Sequence, residues 1–241
     1  MKVCVLGAAI VGLATAYMLR QQGCDETVVD KASPGSGTSG GNGGQLSYSC
    51  VQPLADASLW AQLPKLLWSA DSPLKLRPQW DVQQWRWGIE FLQACNRTTS
   101  ARSTAHLIAL AALSRTGFDA VMAAQQLDCD YASTGKLVLY PDQHSFEAAQ
   151  RQMALQSALG SHQQVVSARQ CQAIEPALAS YTHRIAGAIY TPCECAVDSL
   201  KLCRELARVL RAQGVRFVLG ADIHNLHQRG DCNQQPATQY R

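Results

Sequence analysis

The sequence lacks the features of several large classes of protein. A run of about 18 apolar residues, the minimum for a membrane-spanning helix, does not occur among the 241 residues, so no such helix is expected. Charged residues make up only 16%, and 21 basic against 18 acidic side chains leave a net charge of +3. A surplus this small gives no electrostatic reason to expect nucleic-acid binding. The 47% of hydrophobic residues excludes a disordered or collagen-like chain.

The ten cysteines include no pair with the CxxC spacing of zinc and thioredoxin motifs. The densest group of candidate metal ligands is Cys193, Cys195 and Cys203, followed by His224, His227 and Cys232. Because these spacings match no zinc pattern, we expect no metal site. We interpret the cysteines as reduced thiols of a cytoplasmic protein, several of them buried as small apolar residues.

The start of the chain allows two interpretations. An apolar stretch over residues 3–19 after a lysine is typical of a secretory signal peptide. However, Gly12 interrupts that stretch, and a second apolar run ends at Asp30. We therefore favour a strand over residues 2–7 and a helix over 10–22, followed by a second parallel strand.

The whole pattern predicts an α/β protein. The predicted strands are residues 2–7, 26–30, 135–140, 164–166, 185–190 and 215–219, with a less regular one at 222–228. The predicted helices are residues 10–22, one or two amphipathic helices over 101–127 with Gly117 as the candidate break, one ending near 159, one near 168–174, and one from Asp198 or Ser199 to Gln213.

All five tryptophans lie within residues 54–128. Contact with a membrane surface is one interpretation, because Trp68 has basic neighbours. We favour the other interpretation, in which the tryptophans pack a second domain or a subunit contact.

The turn after the first strand carries an incomplete dinucleotide-binding fingerprint. The run Gly7-Ala8-Ala9-Ile10-Val11-Gly12 keeps the first and third glycines of GxGxxG between a strand and a helix. Gly7 permits the tight turn, Gly12 lets the helix approach the sheet, and the amides at the helix start can face a pyrophosphate. Asp30 then ends the second strand, where its carboxylate can accept both hydroxyls of an unphosphorylated ribose.

Ala9 replaces the middle glycine of the fingerprint. Its methyl group lies where the backbone should approach the pyrophosphate, at a cost of about 1–3 kcal/mol if nothing relaxes. The alternative is an α/β protein whose first βαβ unit only packs. The order of strand, turn, helix, strand and acid favours dinucleotide binding.

A glycine- and serine-rich loop over residues 33–49 follows the second strand. Such a loop can be a flexible linker, but it lies too early in the chain for an ordinary domain linker. The stretch Ser39-Gly40-Gly41-Asn42-Gly43-Gly44-Gln45 could bring amides and polar side chains onto the larger part of a cofactor. FAD is longer than NAD and needs such cover.

Several segments together resemble the bacterial D-amino acid dehydrogenases, which belong to the glycine oxidase and sarcosine oxidase group of FAD enzymes. The matching segments are residues 3–30, the loop 38–47, Gly135-Lys136-Leu137, Ile174-Glu175-Pro176-Ala177-Leu178 and the helix at Asp198. The resemblance extends from residue 1 to about residue 228.

This resemblance implies a fold in which an FAD-binding Rossmann-like domain is interleaved with an α+β substrate domain. The implied ranges are residues 1–50 for the FAD-binding βαβ unit and glycine-rich loop, 51–190 for the substrate or cap domain, 191–229 for the return to the FAD-binding domain, and 230–241 for an unstructured tail. Members of the family are much longer than 241 residues. We therefore expect the chain to correspond to their front half, with the C-terminal half missing.

The resemblance also implies which residues bind FAD. Those at the pyrophosphate turn are Gly7, Ala8, Ala9, Ile10, Val11 and Gly12; those at the ribose are Asp30 and Lys31; those in the flavin loop are Ser39, Asn42, Gly43, Gly44 and Gln45; and Ile223 matches a position whose backbone meets the adenine. No catalytic acid or base is assigned, since the cofactor performs the chemistry.

The implied reaction is oxidation of a D-amino acid to a 2-oxo acid and ammonia, with hydride passing from the α-carbon to the flavin. The partners would be the D-amino acid and a membrane electron acceptor, which places the enzyme in the cytoplasm or on the inner face of the bacterial plasma membrane. Two alternatives stay open: a related glycine or amine oxidase using oxygen, and an inactive truncated nucleotide-binding domain.

Overall fold

The computed structural model describes residues 1–49, 53–55, 57, 59–60, 79–158 and 160–225. The chain forms two compact units: unit 1 comprises Met1–Leu46, Asp119–Thr134 and the described chain from Cys195 onward, and unit 2 comprises Ser47–Phe118 and Gly135–Glu194. The predicted tail at residues 230–241 lies outside the described residues. The four domain ranges implied by the resemblance stay a prediction.

The secondary structure alternates between helices and strands. In chain order the elements are β1 (Lys2–Leu6), α1 (Ile10–Gln21), β2 (Asp25–Asp30), β3 (Gln45–Leu46), α2 (Val82–Ala94), α3 (Arg97–Gln125), β4 (Lys136–Tyr140), α4 (Gln143–Ser157), β5 (Gln164–Val166), α5 (Ala168–Ile174), two short 3-10 helices (Pro176–Ser180 and Thr182–Arg184), β6 (Gly187–Thr191), β7 (Cys195–Ala196), α6 (Ser199–Ala212) and β8 (Arg216–Leu219). The predicted α/β class is confirmed.

Unit 1 is built on a parallel sheet with strand order β1-β2-β8. The central strand β2 places Val28 between Val5 of β1 and Phe217 of β8, and both Val28 and Val29 are fully buried. Helices α1 and α6 pack against each other, and both contribute buried leucines. Residues 2–30 thus fold as the expected βαβ unit.

Helix α6 begins as the sequence predicts. The Asp198 carboxylate accepts the Lys201 amide at 2.9 Å, which satisfies one of the amides that a helix start leaves unpaired. The helix ends at Ala212, two residues before Gly214. Strand β8 follows and pairs with β2, which brings this end of the chain beside Asp30.

Unit 2 contains an antiparallel sheet with strand order β4-β6-β5. One face carries a cluster formed by Val166, Cys171, Ile185 and Ala188, with Leu137 and Leu139 packed against it. Helix α5 is fixed at its start by a reciprocal pair of hydrogen bonds between Ser167 and Gln170.

Helix α3 settles an alternative that the sequence left open. It runs through Gly117 as one helix. A glycine inside a helix costs about 1 kcal/mol relative to alanine, too little to interrupt a helix of 29 residues. By length and composition alone this helix could cross a membrane, although the sequence contains no continuous apolar run; only 6% of its most apolar stretch is buried. A core helix of a soluble protein passes the same test but is mostly buried, which this helix is not.

The described tryptophans contribute little to either core. Trp60 donates its indole N–H to the Cys95 carbonyl at 3.0 Å. Trp80, Trp85 and Trp87, in or next to α2, are more than half exposed. They do not pack into the described core of unit 2, and the predicted subunit contact stays a prediction.

The end of the described chain also differs from the prediction. Residues 222–225 form no strand, and residues 226–228 lie outside the described part. The strand predicted at residues 222–228 is therefore wrong over its described part.

The central strand β2 contains a buried carboxyl group. Glu26 is 2% exposed, and neither carboxylate oxygen has a hydrogen-bond partner among the described residues. Leaving a buried polar group without a partner costs about 1–3 kcal/mol. Val28 and Val29 are fully buried in the same strand, which therefore accommodates apolar side chains without that cost.

Glu26→Leu is therefore expected to stabilise the protein by about 1–3 kcal/mol, because the volume is kept and the unpartnered carboxylate is removed. In a chain of this size this raises Tm by roughly 2–12 °C. Thermal unfolding of both proteins measures the effect. Glu26→Gln is the control, since its buried amide still needs partners and should gain little. A lower Tm for Glu26→Leu would contradict the prediction.

Candidate functional site

The turn between β1 and α1 brings the helix start onto the sheet. The Gly7 amide donates to the Val29 carbonyl at 2.7 Å, and the Ala8 carbonyl accepts the Gly35 amide at 2.9 Å. At Gly12 a β-carbon would overlap the Gly7 carbonyl oxygen. A side chain at residue 12 therefore cannot coexist with this turn.

The N-terminus of α1 is not capped by the side chain of its own N-cap residue. Its N-cap, Ala9, has φ −81° and ψ 177°, an extended conformation that does not require glycine. The first turn contains no acidic residue, and Val11 is 76% exposed. Amides at such a helix start lack partners within the helix and favour an anion.

The Asp30 carboxylate connects the end of β2 to this turn. Its Oδ2 accepts the Ala8 amide at 2.6 Å, and its Oδ1 accepts the Ala32 amide at 2.8 Å. The Asp30 carbonyl accepts the Ala221 amide at 3.2 Å, from the chain that follows β8. The carboxylate is thus held in one orientation, and each oxygen keeps a lone pair for a further donor.

The glycine-rich loop contacts the helix start through Ser39. The Ser39 Oγ accepts the Ile10 amide at 3.2 Å, and Ser39 is buried. Beneath it, burial raises the pKa of the Cys203 thiol, and a hydrogen bond with Ser39 opposes part of that rise. The thiol therefore stays protonated at neutral pH and adds no negative charge near the helix start.

The second half of the loop is fixed by its own backbone. The Asn42 side chain accepts the Gly44 amide at 2.7 Å, and the Gly44 carbonyl accepts the Val197 amide at 2.9 Å. Gly44 has φ +69°, and a β-carbon there would overlap the Val197 carbonyl oxygen. Asn42 and Gln45 are exposed, so the loop presents polar side chains to solvent.

The remaining predicted site residues lie at the surface of unit 1. Gly43 and Lys31 are exposed, and Ile223 is 39% exposed, two residues beyond the Ala221 amide that bonds to Asp30. The structure therefore joins the turn, Asp30 and Ser39 through hydrogen bonds. It gives Lys31 and Ile223 no such bond to the turn among the described residues.

In the described ranges, no group of three or more histidine, cysteine or acidic side chains could hold a metal ion. His227 and Cys232, two of the candidate ligands in the sequence, lie outside those ranges.

One polar residue that the sequence did not single out is Glu194. It is 1% exposed, and its carboxylate accepts the amides of Tyr48 and Ser49. A glutamate in the turn between two strand-forming segments was the only local signal. Its partners lie about 145 positions earlier in the chain, so the contact needs the folded structure.

These features fit a dinucleotide. The helix start offers amides that its own N-cap residue does not cap, beside a turn that no side chain may fill, and Asp30 offers oriented acceptors at the adjoining strand end. The fold and the site together define an α/β protein with a Rossmann-like nucleotide-binding unit.

Comparison with known proteins identifies the family. The model of the DAO family, the FAD dependent oxidoreductases, matches residues 2–238, and the chain belongs to this family. The predicted fold class and the predicted cofactor, FAD, are confirmed at this level.

Curated relatives agree with this assignment. The chain is 44% identical over 227 residues to "D-amino acid dehydrogenase 2" of Ralstonia nicotianae, covering 92% of this chain and 53% of that protein. It is 36% identical to "D-amino acid dehydrogenase" of Paramagnetospirillum magneticum, covering 96% and 55% respectively. The chain thus spans about half the length of the curated relatives it matches.

Among solved structures, glycine oxidase from Bacillus cereus matches with a TM-score of 0.62 at 16% identity, covering 95% of this chain and 48% of that one. L-proline dehydrogenase from P. horikoshii matches with a TM-score of 0.56 at 15% identity, covering 95% and 46%. At these identities the matches establish the fold alone.

Proposed function

We propose that this chain forms the FAD-holding part of a D-amino acid dehydrogenase. The observation that carries the proposal is the start of α1, whose N-cap residue provides no side-chain cap, beside the oriented Asp30 carboxylate. The names of the relatives at 44% and 36% identity support the substrate class. A cytoplasmic location, at the inner face of the membrane if the acceptor lies there, belongs to the same proposal.

In this proposal the pyrophosphate binds the amides at the start of α1. The Ile10 amide now donates to the Ser39 hydroxyl. A phosphate oxygen arriving at that amide would displace the hydroxyl as acceptor, and the hydroxyl could then donate to the phosphate instead. The Ser39 hydroxyl would thus accept the Ile10 amide when no ligand is bound, and it would donate to the phosphate when the cofactor is bound.

Asp30 would hold the adenosine ribose. Its two oxygens are already bonded to the Ala8 and Ala32 amides, so the carboxylate pays little additional entropy to accept the ribose hydroxyls. The exposed Asn42 and Gln45 side chains would reach the flavin end of the cofactor. Lys31 and Ile223 would line the ribose and adenine.

When bound, FAD supplies the hydride acceptor for oxidation of the amino acid's α-carbon. The contribution of the described residues is to bind and orient the cofactor. Hydride loss from the α-carbon also requires the substrate ammonium group to lose a proton, and this proton is not assigned to a described side chain.

Titration of the purified 241-residue chain with FAD tests the first part of the proposal. Quenching of flavin fluorescence on binding is the expected result, and its absence would overturn the assignment. Anaerobic addition of D-alanine, with L-alanine as control, then tests the substrate class. Flavin bleaching by the D-enantiomer alone supports the dehydrogenase; bleaching by glycine with rapid oxygen consumption would favour the oxidase alternative.

Ala9→Gly is expected to strengthen binding of FAD or ADP by about 1–3 kcal/mol, because it removes the methyl group nearest to the pyrophosphate. The extended backbone of Ala9 needs no glycine, so the same change should lower the stability of the free protein by about 0.4–1 kcal/mol. Calorimetric titration of ADP at one salt concentration and thermal unfolding measure the two effects. Equal affinities of the two proteins would show that the methyl group does not meet the pyrophosphate.

A further inference from the structure

A buried carboxylate holds the segment of chain that leaves the glycine-rich loop. Glu194 is 1% exposed, and its Oε1 accepts the Tyr48 amide at 2.8 Å and the Ser49 amide at 2.7 Å. Residues 47–49 follow strand β3 directly, and Glu194 directly precedes strand β7. The two bonds therefore lie where the pairing of these strands stops.

The backbone pairing at this point is short. Strand β3 pairs with β7 through Gln45 opposite Ala196 and Leu46 opposite Cys195 only. Two residues per strand give few hydrogen bonds, so the pair cannot by itself fix the chain beyond Leu46. The Glu194 carboxylate replaces the missing backbone acceptors, and bonds to an ionised acceptor are about twice as strong as neutral ones.

Further contacts within unit 2 converge on the same segment. Ser161 donates its hydroxyl to the Ser49 carbonyl at 3.3 Å, and the Ser49 hydroxyl lies 3.2 Å from the Cys193 thiol. Arg115 donates to the Cys193 carbonyl at 3.2 Å and places its guanidinium 5.2 Å from the centre of the Tyr48 ring. Residues 48 and 49 are thus held through amides, a carbonyl and side chains.

We propose that Glu194 is a positioning residue for FAD binding, an inference that rests on the proposed function. The loop is held at Gly44 by the Val197 amide and beyond Leu46 by the Glu194 carboxylate. The short stretch between the two anchors carries Gln45, the exposed side chain assigned to the flavin end. Burying a carboxylate is costly unless it is hydrogen-bonded, and the Tyr48 and Ser49 amides supply two such bonds.

The test compares Glu194→Ala and Glu194→Gln with wild type and with Glu175→Gln as the matched control. Glu175 also accepts a backbone amide, that of Ala177 at 3.0 Å, but it is exposed and belongs to the 3-10 helix at residues 176–180. Hydrogen exchange of the Tyr48 and Ser49 amides is measured without FAD, and the rate of FAD release is measured by recovery of flavin fluorescence.

For Glu194→Ala, exchange at Tyr48 and Ser49 should accelerate by about tenfold or more, with FAD release faster by a similar factor. Glu194→Gln keeps one carbonyl acceptor without the charge and should fall between Glu194→Ala and wild type. Glu175→Gln should match wild type in both measurements. Amides in β1 and β2 should keep their protection in every variant, which separates a local loss of position from general unfolding.

Unchanged exchange at Tyr48 and Ser49 would overturn the proposal, and so would faster exchange without faster FAD release. If Glu194→Ala loses protection throughout β1 and β2, that variant has unfolded generally, and the measurements on Glu194→Gln decide the test. A wild-type chain that binds no FAD would overturn the proposed function, and with it the positioning role. The exchange data would in that case still report whether Glu194 holds the segment.

Discussion

Gly12→Ala is expected to lower FAD affinity by about a hundredfold or more and to destabilise the free protein by about 3 kcal/mol. A β-carbon at residue 12 would overlap the Gly7 carbonyl oxygen, which is backbone and cannot rotate away as a side chain could. The helix start must move off the turn, and overpacking of this kind costs 1–3 kcal/mol or somewhat more. The same movement displaces the amides that would bind the pyrophosphate, whose bonds weaken steeply with distance and angle.

Thermal unfolding and FAD titration of Gly12→Ala measure the two effects; the expected fall in Tm is roughly 6–12 °C. Gly117→Ala is the matched control, because Gly117 is also helical and a β-carbon there meets nothing within 4 Å. That control should gain up to about 1 kcal/mol from helix propensity and leave FAD binding unchanged. Wild-type affinity in Gly12→Ala would show that the pyrophosphate does not bind at this turn.

The turn could be predicted from sequence because its signals are local. Two glycines and an acid at fixed spacing specify a strand, a tight turn and a helix within residues 2–30, and the structure forms these elements. The helix start at Asp198 is predictable for the same reason, since a capping aspartate acts on amides two or three residues away.

Helix α3 shows where a local rule leaves an alternative open. Gly117 suggested a break because glycine is a poor helix former, but the cost of one glycine is small against the hydrogen bonds of 29 helical residues. The length of the helix decides whether Gly117 interrupts it, and a rule that considers one residue at a time does not take helix length into account.

The contacts that hold the glycine-rich loop could not be predicted in this way. Strand β3 has two residues and exists only because Gln45 and Leu46 pair with residues about 150 positions later. Glu194 likewise finds its amide partners at Tyr48 and Ser49. The sequence drew attention to this region for its cysteines, whereas in the structure the glutamate between Cys193 and Cys195 holds the chain.

Asp30→Ala is expected to weaken FAD binding by about 3 kcal/mol or more, over a hundredfold. The change removes the proposed acceptor of two ribose hydroxyls, and hydrogen bonds to a charged group contribute about 1.5–3 kcal/mol each. It also releases the Ala8 and Ala32 amides, which Asp30 holds at 2.6 Å and 2.8 Å. The Ala8 amide lies in the pyrophosphate turn, so the loss at the ribose extends to the phosphate.

Calorimetric titration of FAD and of ADP separates the contributions at Asp30. Asp30→Asn keeps one oxygen acceptor and should lose less affinity than Asp30→Ala. Asp25→Ala is the matched control, because Asp25 begins the same strand at its opposite end and is exposed. Both ligands contain the ribose and the pyrophosphate, so Asp30→Ala should weaken FAD and ADP by similar factors. If Asp30→Ala weakens neither ligand, the carboxylate only braces the turn, and the nucleotide does not bind at the end of β2.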